Sequence, residues 1–151
     1  MQKQFLTVVF QGDSYVGFDF GALPLGAALL AAEQQIEQAA DQARASVLGD
    51  SLRAVEYQMA EDEAKAYKLA GYDGDVPLTV QAVVDAQGID PQAAAEVILA
   101  ESEAWRAALC AIRSARLKGR QEVLKAKNHD EAEGHADTAI NAIRASVAGN
   151  A

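Results

Sequence analysis

The chain has 151 residues, half of them apolar, and a formal net charge of −9. That length suits one ordinary domain and is short for two, and a charge of that sign opposes a phosphate backbone, so nucleic acid is an unfavoured partner. A single cysteine, Cys110, excludes an intrachain disulfide, and there is no run of about 18 apolar residues to span a membrane.

Alanine supplies much of the apolar fraction, and it removes little area from water, at about 25 cal/mol per Å². Alanine-rich helices recover area by packing closely on several neighbours, other chains included, which is a first hint of an oligomer. The charge is uneven. Residues 1–103 hold 5 Lys/Arg against 17 Asp/Glu, a net of −12, and residues 104–151 hold 8 against 5, a net of +3. The two parts can attract each other within or between chains; the plainer reading is two solvated faces of opposite sign.

Gln4 to Phe10 and Tyr15 to Phe20 are two β-prone runs flanking Gln11-Gly12-Asp13-Ser14, a hairpin signal that holds all four phenylalanines. A lone hairpin is marginal in water, so it must lie on the helices or on another chain. Phe5, Val8, Phe10, Phe18 and Phe20 are the candidate docking residues. Met1 to Phe10 carries one lysine and no long apolar core, so no signal peptide is expected.

Pro24 suits a helix start, and Leu25 to Leu48 is helix-forming throughout. Leu29, Ile36 and Ala43 recur every seventh residue, with Ala32, Ala39 and Ser46 between them. That short heptad pattern fits a seam between identical chains or the inner face of a monomeric bundle. Gly49 reads as the residue past a helix end, with Asp50 or Ser51 capping the next. The next helix, Leu52 to Ala70, sets Val55, Met59, Ala66 and Leu69 among charges. Glu61-Asp62-Glu63 and Lys65/Lys68 are expected to form a solvated, pair-stabilised surface.

Gly71-Tyr72-Asp73-Gly74-Asp75-Val76-Pro77 cannot continue a helix, so the chain must turn at Gly71, Gly74 and Pro77. Leu78 to Gln87 predicts a short helix burying Val80, Val83 and Val84, ended by Gly88. Asp90-Pro91 is a strong start signal for the longest helix, Gln92 to Lys127. Ile98, Trp105 and Ile112 form its second seven-residue seam. Trp105 is expected in the core, anchoring this helix on the one before the turn, and Cys110 is expected as a small buried hydrophobe. Gly119 and Asn128-His129-Asp130 read as weak points. Asp130 is placed as the cap of a last helix with Ala136, Ala139, Ile140, Ile143 and Val147 on one face, closed by Gly149-Asn150.

No catalytic motif is visible, and no catalytic, cofactor-binding or metal-ligating residue is assigned. His129 and His135 stand six apart, a poor helical spacing for two ligands. The Gly71 turn lacks the Lys and Ser/Thr of a phosphate loop. No serine has a histidine or a strained elbow beside it. The basic stretch Arg106 to Lys127 lacks interleaved aromatics for nucleic acid.

Residues 57–127 resemble proteins encoded beside the tail fibres of tailed bacteriophages, of the tail-fibre-associated or fibre-assembly type. The likeness is carried by Ala-Glu-Asp-Glu-Ala-Lys-Ala-Tyr at 60–67, the Gly71–Pro77 turn, Ala-Glu-Val-Ile-Leu-Ala at 95–100, and Trp105 with Ala-Ile-Arg-Ser-Ala-Arg-Leu at 111–117. It covers about half the chain. It implies a non-enzymatic tail component near the fibres or baseplate, assembled in the host cytoplasm and carried in the virion tail, or a fibre-assembly chaperone. It implies other tail or fibre proteins as partners, and a homotrimer as the oligomer.

The expected fold is mainly α: an N-terminal β-hairpin, then long Ala-rich helices packed as a bundle or coiled coil. Its parts are a hairpin docking element at 1–22, a helical arm at 23–70, a turn and short helix at 71–90, a long basic helix at 91–127 and a C-terminal helix at 128–151.

Overall fold

In the computed structural model, which describes residues 1–49 and 51–147, the fold is mainly α with an N-terminal antiparallel hairpin, as expected. Strands β1 (Leu6–Phe10) and β2 (Asp13–Phe18) are followed by a single 3-10 turn, Phe20–Ala22. Among the described residues five helices follow: α1 (Leu25–Leu48), α2 (Ser51–Leu69), α3 (Leu78–Gln87), α4 (Pro91–Lys125) and α5 (His129–Ala145). Of the two expected caps of α2, Ser51 is already its first residue and Asp50 lies outside the described residues, as does the Gly149-Asn150 stop.

Local chemistry explains the breaks. Gly49 (φ 61°) and Gly88 (φ 67°) take the left-handed conformation that ends a helix. In the central turn Gly71, Tyr72 and Gly74 all have positive φ, at 70°, 60° and 96°. Pro77 is the extended residue before α3. Asp90 caps α4, its Oδ1 accepting from the Ala93 amide at 2.9 Å. The cap of α5 is Asn128 rather than Asp130. Its side-chain oxygen accepts from the Glu131 amide at 2.9 Å, and the Glu131 carboxylate accepts from the Lys127 amide at 2.8 Å. That reciprocal pair is a capping box, displaced by one residue toward Lys127.

The chain divides into two compact units: Met1–Ser46 with the residues from Leu109 onward, and Val47–Ala108. In the first, Gly119 of α4 is where three helices meet. It is buried, and a Cβ there would overlap that of Ala139 in α5 and come within 3.3 Å of Ile36 Cδ1 in α1. The expected weak point is thus a close crossing. The attraction between the acidic and basic parts is realised inside this unit: Arg116 donates to Glu37 at 2.7 Å, and Arg120 to Glu33 at 2.6 Å and Glu37 at 3.0 Å. In the second unit the core is Ala64, Tyr67, Val80, Ala94, Ala95 and Ile98. Val83 and Val84, expected inside with Val80, are only half-buried against it.

Candidate interaction surfaces

The hairpin is closed by a two-residue loop, Gln11-Gly12, with φ of 54° and 93°; Phe10 pairs with Asp13 across it. Positive φ at both central residues is the turn whose twist matches paired strands. Alternation then divides the side chains. Leu6 and Val8 are buried, and the Phe10 ring lies where a Cβ on Gly26 of α1 would overlap it. On the other face stand Val9 and Val16, 63 % and 67 % exposed. Phe5 (78 % exposed, φ 55°) precedes β1, and the half-covered Phe18 ring meets Tyr15 edge-on at 5.5 Å.

The five candidate docking residues therefore separate. Val8 and Phe20 are buried and Phe10 is half-buried, so their apolar area is used by the chain's own helices. Phe20 leaves the strand for the 3-10 turn and meets the His129 ring edge-on at 5.8 Å. Phe5 stays exposed, while Phe18, 39 % exposed, stands opposite the buried Leu6 on the inward face. Val9 and Val16 make the outer face, and sequence reasoning missed both. The period of two in Leu6-Thr7-Val8-Val9-Phe10 was the signal that could have found Val9. In this two-stranded sheet both strands are edges.

The helical seams face inward. Ile36 and Ile112 are fully buried, Ala43 and Ile98 nearly so, and Leu29 is half-buried. Of the two readings of the Leu29/Ile36/Ala43 line, the structure realises the inner face of one chain. Trp105 is not in the core. It is half-buried, its ring edge-on to Tyr57 of α2 at 4.7 Å between centroids. It touches the helix before the turn, as expected, but near the surface. Cys110 is exposed, because it lies on α4 away from the buried Ala108 and Ile112.

The acidic run of α2 is not a uniform solvated surface. Glu61 is 4 % exposed. Lys65 and Ser102 hydrogen-bond to it and Arg106 pairs with it, which together hold its carboxyl at about 2. Glu63 accepts from the hydroxyl of Thr79 at 2.6 Å and from its amide at 3.1 Å, and those bonds lower its pKa. Lys68 turns to Glu96, which also accepts from the Tyr72 hydroxyl. These bonds tie the three faces of the second unit together: α2 to α3, α2 to α4, and the turn to α4. Directly across α2 from Ala64 and Tyr67, Val55 and Leu69 are 68 % and 88 % exposed, with Met59 beside them.

Among the described residues no group of three or more His, Cys, Asp or Glu can hold a metal ion. His129 Nε2 lies 2.9 Å from the Leu23 carbonyl oxygen, a contact that binds α5 to the start of α1. No helix among the described residues is long and apolar enough to cross a membrane. No protein family matches this chain, and no curated protein or solved structure is significantly similar to it. The arrangement thus leaves apolar side chains exposed on one hairpin face, at Val9 and Val16, and on one helix face, at Val55, Met59 and Leu69.

Proposed function

We propose that this chain is a non-enzymatic structural and interaction protein of a bacteriophage tail, a helical oligomeric component near the tail fibres or baseplate. The assignment to a tail rests on the resemblance read from the sequence motifs of residues 57–127 alone. The observation that carries the interaction role is the outer face of the hairpin, where Val9 and Val16 are exposed, with Phe5 exposed just before β1. Apolar side chains that fold against nothing of their own gain by being covered, and open strand edges offer backbone hydrogen bonds to a further strand. A neighbouring tail or fibre protein is the partner proposed for this face. A homotrimer suits a neighbour of threefold fibres, and its contacts come from exposed faces, since Ile36 and Ile112 are already buried in the chain.

Mass spectrometry of purified particles tests the role. The chain should be present in mature virions, and Val9→Lys with Val16→Lys should abolish its incorporation while the circular dichroism spectrum stays helical. Incorporation unaffected by both changes sinks the hairpin as the docking face. The open hairpin edge also favours a second reading, a fibre-assembly chaperone that binds an unfinished strand and leaves. Absence from mature virions with retention in fibre-assembly intermediates supports that one.

A further inference from the structure

We propose that the outward face of α2 is a docking surface for a basic amphipathic helix of another polypeptide. Val55, Met59, Ala66 and Leu69 lie along it, all exposed. With Asp62 between Met59 and Ala66 they follow the alternating four-and-three steps of a helix–helix seam, apolar but for that one acid, which one further helix of like period covers. With Asp62, Val55 and Met59 also line an open depression of about 510 Å³, whose remaining residues are Ala54, Gln58 and Glu63. Its lining thus combines apolar side chains with two acids.

Charge chooses the occupant. Residues 47–108 carry 4 Lys/Arg against 12 Asp/Glu, a net of −8. Three of those four cations, Lys65, Lys68 and Arg106, are held in ion pairs with Glu61 and Glu96. Asp62 stands within the row, and Glu56 and Glu63 flank it on one side, Glu63 with its carboxylate bonded to Thr79. A second copy of α2 would bring acid against acid, and in parallel register Asp62 against Asp62, a like-charge cost. A helix with Lys or Arg flanking its own apolar row brings the opposite sign and a negative field to steer it. Nothing in this surface depends on the tail assignment, since it rests on α2 alone.

The full chain titrated with a fluorescein-labelled Leu/Lys heptad peptide, read by anisotropy, tests this. Binding is expected, falling with added salt and weakened at least about tenfold by Val55→Asp or by Met59→Asp. Both positions are exposed, so circular dichroism should show the variants folded. A Leu/Glu heptad peptide and a scrambled peptide of the same Leu/Lys composition should not bind. Equal binding of the scrambled peptide, or no loss in either variant, overturns the proposal. So does sedimentation of the wild type as an oligomer that Val55→Asp turns into a monomer, which would make the occupant a second copy.

Discussion

One missing carbon at Gly119 allows α1, α4 and α5 to share a contact. Glycine inside a helix costs about 1 kcal/mol against alanine, which is why the sequence alone marks the position as weak. The added Cβ of Gly119→Ala would strike Ala139, and overpacking costs typically 1–3 kcal/mol, so the clash wins over propensity. Urea unfolding should show Gly119→Ala destabilised by about that amount, with Ala139→Gly in the same chain restoring part of it. Glu61 makes the opposite point. Its neighbours in sequence are charged, so it reads as solvated, yet residues far along the chain, Ser102 and Arg106, close over it. Its folded pKa lies below the ordinary 4.5, at about 2, so its contribution is present above 4.5 and disappears as pH falls toward 2. Glu61→Gln should lose about 1–3 kcal/mol at pH 7, and its gap from the wild type should narrow between pH 4.5 and 2. A gap that stays constant over that range would assign the loss to shape rather than charge.

Among the elements, those with local punctuation were the most legible. α1 and α3 begin and end where expected because Pro24, Gly49, Pro77 and Gly88 act on their own backbone. The hairpin was legible as a hairpin, but not which of its faces is covered. Its strands alternate, and the burial of Leu6 and Val8 with the approach of Gly26 to the Phe10 ring shows that the Val8 side is inward. Trp105 belongs here too. A large aromatic invites a core assignment, yet its position on α4 brings it over Tyr57 at the margin of the second unit. Trp105→Ala should therefore cost about 1–3 kcal/mol, less than the 3–5 kcal/mol of a core tryptophan. A double-mutant cycle with Tyr57→Ala should give a coupling of about 0.5–1.5 kcal/mol, the worth of an edge-on ring pair.

The molecule as a whole holds two cores, one around Ile36, Ile112 and Ile143 and one around Val80 and Ile98. Ile36→Ala should cost about 2–5 kcal/mol. Hydrogen exchange should show protection lost first in α1, α5 and the end of α4, with amides around Val80 less affected. Uniform loss over both units would mean they unfold as one. Helix content, breaks, the Asp90 cap and net charge could be read from the residues in order, because each depends on backbone within a turn or two. Which apolar face of a helix is spent inside, as with Ile36 on α1, and which is left for others, as with Val55 and Leu69 on α2, could not. Burial is a property of residues brought together from distant parts of the chain. Ile36, Gly119 and Ala139 carry no sign of one another until three helices cross.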